Sequence, residues 1–117
     1  MINTPIFACK KIDKENLLRC SLGLNKMEYK VFVFLFANDR WFKVSSIARH
    51  MNLDRTSIQK AVKKLVAKSL VVRIQKNIVK GGYVYFYRAN QKDMIKSNIL
   101  RIIHEWCESV VKEIERM

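Results

Sequence analysis

Between residues 54 and 69, Ile58, Ala61, Val62 and Leu65 recur at i, i+3, i+4 and i+7, the spacing that lines one face of an α-helix. With Asp54 as its N-cap, this pattern predicts a helix through about Ser69. Just upstream, Ile47, Ala48 and Met51 share helical spacing in "SIARHMN", a brief helix expected to be capped by Ser45 or Ser46, and "NLD" turns the chain between the two. Before that pair, "KENLLRCSL" reads as a short helix closing near Gly23, a residue that readily takes the left-handed conformation at a helix end. Asn25, answered by Glu28, makes a variant capping box for a helix over about 26–37. That helix is almost apolar all round after Lys30, as expected of the central pillar of a core. "RWFKV" at 40–44 suits either a small strand or an extended link.

After Ser69 the helical period gives way to β-rich runs. "LVVRIQK" and "YVYFYRA" flank "NIVKGG", whose paired glycines suit a hairpin turn or loop. Tyr83, Tyr85 and Tyr87 share one face of the second run, with Val84, Phe86 and Arg88 on the other, and alternation alone leaves open which face meets the core. From Gln91 a long helical pattern runs to Met117. Helix, helix-turn-helix, then hairpin is the order of a winged helix, a mainly α fold with a small β-hairpin (α+β). The expected division is a flexible start over 1–12, a winged helix-turn-helix domain over 13–90 and a C-terminal dimerisation helix over 91–117.

At 117 residues, 50% of them hydrophobic, the chain suits one folded domain with an appended helix. The net charge of +13 changes the picture because it is local. Residues 1–39 carry six cations and four acids, residues 40–80 eleven cations and only Asp54, and residues 90–117 five of each. A charge serving solubility alone has no reason to concentrate so, whereas a footprint for nucleic acid does. Solvated helix faces normally intersperse acids, yet Lys60/Lys64 and Lys64/Lys68 are like-charged pairs at i, i+4, which destabilise a helix mildly. A counter-anion from outside would relieve them.

Taking about 100° per residue and Ile58 as the inward direction, Thr56, Gln59, Lys60, Lys63, Lys64 and Ala67 lie outward. Helix-turn-helix proteins read base edges with the N-terminal part of the second helix, so Arg55, Thr56, Ser57, Gln59 and Lys60 are expected near bases. Gln suits adenine bidentately, and Arg or Lys suits guanine. Lys63, Lys64 and Lys68 are expected on phosphates, as are Ser45 and Ser46 through backbone N–H groups at a helix start. Lys76, Asn77 and Lys80 would decorate the wing.

Other chemistries find little support. Gly81–Gly82 lacks the surroundings of a phosphate-cradling or dinucleotide loop. His50 has no neighbouring nucleophile with an orienting acid, so a surface or packing role is expected and no enzyme. Cys9, Cys20 and Cys107 are scattered and contain no Cys-x-x-Cys pair. His104 and Cys107, three apart, make at most half a metal site, and packing is the commoner use of such residues. No cofactor is expected. The longest apolar run, "VFVFLFA" at 31–37, is too short to span a bilayer, and the N-terminus lacks a signal-peptide run. A soluble, cytoplasmic, nucleoid-associated protein is the simplest expectation.

These residues resemble the winged-helix domain of archaeal TrmB-like regulators, close in turn to the MarR family. "LGLNKMEYKVFVFLF" resembles that family's opening, "VSSIARHMNLDRTSIQKAVKKLVAKSLVVR" its helix-turn-helix, and "GGYVYFYRA" the return strand of its wing, together covering about residues 22–90. The resemblance implies a dimeric transcription regulator whose second helix enters the major groove. Longer members carry a C-terminal effector domain that binds sugars; here one helix follows the wing, and a sugar-sensing role is not carried over.

In that last helix Ile95, Ile99, Ile102 and Trp106 step by 4, 3 and 4, continued by Val110, Ile114 and Met117, while Leu100, Ile103, Cys107 and Val111 form a second row. Packing on its own domain would use such a stripe. Its length outreaches a domain of this size, so an antiparallel or crossed pairing in a two-fold homodimer is expected. Two other functions share the fold: a nucleoid-associated protein that coats DNA with little sequence preference, and a protein–protein assembly module. The clustered lysines disfavour the second, since interface cores are depleted in Lys.

Overall fold

The computed structural model describes residues 6–7, 10–11 and 13–117. The flexible start expected over 1–12 falls largely outside the described residues; within it β1 (Ile6–Phe7) and β2 (Lys10–Lys11) pair antiparallel. Five helices and a hairpin follow: α1 (Lys14–Leu22), α2 (Lys26–Ala37), α3 (Val44–Met51), α4 (Arg55–Ala67), β3 (Val71–Asn77), β4 (Tyr83–Ala89) and α5 (Lys92–Glu115). This is an α+β winged helix.

Local sequence sets most of the boundaries. Asn25 and Glu28 form the reciprocal capping box at the start of α2, with Glu28 N–H donating to Asn25 Oδ1 at 2.8 Å and Asn25 N–H to Glu28 Oε1 at 3.0 Å. At Gly23, Asn52 and Ser69 the backbone turns left-handed, with φ of 66°, 56° and 61°. Each is followed by the same closing bond: Leu24 N–H to Arg19 O, Leu53 N–H to Ala48 O and Leu70 N–H to Leu65 O, at 2.9–3.0 Å. The helix expected to reach Ser69 therefore ends at Ala67, and Ser69 is the turn residue beyond it. The caps expected at Ser45 or Ser46 are absent for a related reason: α3 begins at Val44 with Lys43 extended before it, which puts both serines inside the first turn.

Val31, Phe32 and Leu35 of α2 meet Ile47 of α3 and Ile58, Ala61, Val62 and Leu65 of α4 in one buried cluster. The expected pillar is α2, although Val33 on its outer side is 43% exposed. "RWFKV" contributes a single antiparallel bridge, in which Phe42 and Tyr87 exchange backbone hydrogen bonds of 2.9 and 2.8 Å. That bridge decides the hairpin's orientation. Tyr87 is buried, and Val71 and Ala89 on its face close the base of the core, while Tyr83 on the same face is exposed at the far end.

Helix α5 divides in two. Ile95 is buried and Ile99 and Ile102 pack on the same core, so this part of the expected dimer stripe seats on its own domain. Beyond it Trp106 and Ile114 are 57% and 61% exposed, and the helix helps draw the molecule out to 64 × 26 × 25 Å.

Candidate nucleic-acid interface

The tight turn between α3 and α4 is held at both ends. Left-handed Asn52 closes α3, and Asp54 opens α4 by accepting from Ser57 N–H at 2.9 Å and Ser57 Oγ–H at 2.7 Å. Those bonds, with the Ser57 hydroxyl first, hold the Asp54 carboxyl below its ordinary value. They also occupy Ser57, which was expected near bases. Its hydroxyl belongs to the cap.

The buried stripe of Ile58, Ala61, Val62 and Leu65 fixes the rotation of α4. Arg55, Thr56, Gln59, Lys60 and Lys63 are all exposed, and among the described residues none of them makes a side-chain hydrogen bond or ion pair. The next two lysines behave differently. Lys64 Nζ stands 3.8 Å from Glu28 Oε2, a carboxylate that is itself buried. Lys68, expected on a phosphate, is half-buried, and its ammonium donates to the carbonyl of Leu22 at 2.8 Å. Its Nζ would lie 2.9 Å from a Cβ at Gly23, so the lysine fills the space that glycine leaves open. The far half of α4 is thereby tied to the corner between α1 and α2.

Ser45 and Ser46 are half-buried in the first turn of α3, where no side chain caps the helix, so the first-turn N–H groups lack a side-chain acceptor. Ser46 O lies 2.8 Å from His50 Nδ1, and the His50 ring packs beside Phe34 and Phe42. His50 thus combines the surface and packing roles expected for it.

The hairpin runs in register from Val71↔Ala89 to Asn77↔Tyr83. Its tip, 78–82, is closed by Ile78 N–H to Gly82 O at 3.0 Å, with Gly81 and Gly82 at φ of 99° and 84°. Lys76, Asn77 and Lys80 are exposed there, and Lys76 Nζ lies 5.4 Å over the Phe86 ring. Two features of the wing were not singled out from sequence. The Arg73 guanidinium lies 4.3 Å over the Tyr85 ring, with Tyr83 edge-on to Tyr85 at 5.2 Å, so a cation is held against an aromatic row beside α4. Alternation already put Arg73 and the tyrosines on one face once the register is known. At the tip Val79 is fully exposed beside Ile78, an apolar pair that only the turn geometry reveals. At the wing's base, Arg88 donates to Asp39 at 2.9 Å. That bond, then the guanidinium charge, keeps the Asp39 carboxyl below its usual range.

His104 and Cys107 both lie exposed on α5 in the single chain, so neither packs on its own domain. Among the described residues no group of three or more His, Cys, Asp or Glu side chains gathers in a metal-binding arrangement. Among the described residues no helix is long and apolar enough to cross a membrane.

The sequence model of the family described as "Sugar-specific transcriptional regulator TrmB" matches residues 18–93. Two uncharacterised proteins of Methanocaldococcus jannaschii are similar along most of the chain. One is 32% identical over 117 residues, 100% of this chain and 86% of the relative. The other is 38% identical over 103 residues, 88% of this chain and 84% of the relative. Among solved structures, a possible transcriptional regulator from Methanosarcina mazei superposes with a TM-score of 0.91 at 32% identity, covering 96% of this chain and 94% of that one. A transcriptional regulator of the MarR family from Enterococcus faecalis shares the fold, with a TM-score of 0.54 at 15% identity, covering 91% of this chain and 96% of that one.

Proposed function

The chain belongs to the TrmB family of transcriptional regulators, and from that premise we propose that it controls transcription as a two-fold homodimer with α4 in the major groove of double-stranded DNA. Family and fold are those of DNA-binding regulators, not of enzymes. The observation that carries the reading is the one-sidedness of α4. Its apolar stripe is fully spent on the core, while Arg55, Thr56, Gln59, Lys60 and Lys63 stand exposed together just after a tight turn.

A B-form major groove is about 12 Å wide and admits such a helix. Arg55, Thr56, Gln59 and Lys60, on its N-terminal half, read base edges. Lys63 and the first-turn N–H groups at Ser45 and Ser46 hold phosphates and set the register. Lys76, Asn77 and Lys80 on the wing meet the adjacent backbone or minor groove. The second copy docks on the outer part of α5 around Trp106, Val110 and Ile114, where Trp106 and Ile114 are exposed in the single chain. Two-fold symmetry then offers two copies of α4 about 34 Å apart to a pseudo-palindromic site. The protein acts in the cytoplasm, on the nucleoid.

Selection of bound duplexes from a random pool, followed by titration of the selected site against random duplex across a salt series, tests the reading. A specificity ratio of about 10³ or more is the expected result. A ratio near one, with steep salt dependence, would make the protein a DNA-coating factor instead.

A further inference from the structure

The wing ends in apolar side chains, where an exposed loop ordinarily carries polar ones. Val79 is fully exposed, and Ile78 and Tyr83 on either side of the tip are 47% and 55% exposed. Among the described large hydrophobic side chains only Met117, the last residue, stands comparably bare. A lone exposed valine would call for no explanation, but three neighbouring apolar side chains on one tip do.

The setting of these side chains is cationic. From Arg73 to Tyr83 the chain holds Arg73, Lys76 and Lys80 and no acid. A protein partner for an apolar tip would favour surroundings poorer in lysine. Duplex DNA matches both features at once, because lines of phosphates border grooves whose floor is the edge of a base stack. The faces of its base pairs, once parted, are apolar.

The tip has the reach and the stiffness to part them. From Tyr87, bridged to Phe42 at the core, the strand runs outward to Tyr83 at the end of the ladder, a rise of about 13 Å. The tip, 78–82, lies beyond that, whereas a minor groove is about 7.5 Å deep. Ile78 O accepts from Gly81 N–H at 2.9 Å and Ile78 N–H donates to Gly82 O at 3.0 Å, which closes a β-turn with Val79 and Lys80 at its two central positions. A fixed backbone therefore presents both side chains outward, and little ordering is left for binding to impose.

From the bare apolar tip, its cations and its reach, we infer that the wing is a wedge: Val79, backed by Ile78, enters the minor groove and inserts between two base pairs, while Lys80 holds a flanking phosphate. Insertion partly unstacks one base step and bends the duplex by about 20–90° toward the major groove. Pyrimidine–purine steps such as TA and CA open most readily, so the wing selects sequence by deformability at positions that α4 does not touch. This rests on the reading of α4 in the major groove and deepens it, adding a second source of specificity.

The test uses the full chain and the duplex that it selects from a random pool. 2-Aminopurine replaces adenine at one flanking pyrimidine–purine step at a time, and a donor and an acceptor dye mark the two ends. Binding should raise the aminopurine fluorescence severalfold at one flanking step and bring the ends closer together. Val79→Ala should abolish both signals with the melting temperature of the protein unchanged, since the side chain is fully exposed, and Val79→Leu should keep them. Lys80→Ala should weaken binding and reduce the salt slope by about one, while the fluorescence rise at saturation persists. A wild-type complex with neither fluorescence rise nor shortening overturns the wedge and leaves the reading of α4 intact, as does an undiminished signal from Val79→Ala. A chain that binds no duplex overturns both.

Discussion

The ammonium of Lys68 donates a 2.8 Å hydrogen bond to the carbonyl of Leu22, tying the end of α4 to the end of α1 across 46 positions of sequence. A lysine that reads as part of a cationic face is thus a strut. Lys68→Ala should lower unfolding stability by about 1–2 kcal/mol in denaturant titrations, because the carbonyl at the end of α1 loses a charged donor. Its effect on duplex affinity should be within about twofold, with the salt slope unchanged. A loss of binding equal to that of Lys63→Ala would return Lys68 to the DNA face.

Gln59 and Lys63 separate two kinds of contact on α4. Gln59→Ala should cost about 1–3 kcal/mol at the preferred site and relax the choice of base there. Lys63→Ala should weaken all duplexes alike and reduce the salt slope by about one. Titrations of selected and random duplexes at several salt concentrations read both numbers, and wild-type behaviour in both variants would misplace the interface.

Gly82 tests the wing. Its φ of 84° is strained for any residue with a Cβ, although open space surrounds the position. Gly82→Ala should cost about 1–2 kcal/mol of local backbone strain, loosening the tip and weakening duplex binding, while the core is untouched. Thermal melting and duplex titration measure the two effects separately.

Two carboxyls make stability depend on acid. Asp39 is held below its ordinary value of 3.8 by the hydrogen bond from Arg88 and then by that residue's charge. Asp54 is held below the same value by the Ser57 hydroxyl and then the Ser57 N–H. What these groups contribute is fully present above about pH 4 and is lost as pH falls through their lowered values. The double variant Asp39→Asn with Asp54→Asn should therefore start less stable at pH 6 and lose less than wild type on descent to pH 2.5. Parallel curves in denaturant titrations would contradict this.

The two halves of α5 predict two truncations. Ending the chain after residue 104 keeps Ile95, Ile99 and Ile102 on the core, and should yield a folded monomer by sedimentation and circular dichroism. Ending it after residue 92 removes a buried Ile95 with both neighbours, and should destabilise the fold by several kcal/mol, at about 2–5 for one large buried side chain.

Much of the architecture is written in stretches of four or five residues. The stripe from Ile58 to Leu65, the capping box of Asn25 and Glu28, the Asp54 cap and the turn at Gly23 depend on backbone geometry within one or two helical turns, and all are legible in sequence. The same stripe fixes which residues of α4 face outward, so Arg55, Thr56, Gln59, Lys60 and Lys63 could be named before any fold was known. Other features need two distant segments brought together. Which lysines of α4 stay free was decided by docking: Lys64 meets Glu28 and Lys68 meets Leu22 only because α4 lies across the corner between α1 and α2. Which face of the hairpin turns inward was decided by Phe42, whose bridge to Tyr87 spans 45 positions. The start of α3 was missed because serine at a helix start suits more than one position, and the packing of Ile47 chose among them. Periodicity also ran unbroken along α5, whereas the domain beneath it stops near Ile102. Sequence carries the period of an element and its local caps; the reach of the neighbouring surface, a property of the packed tertiary structure, decides where burial ends.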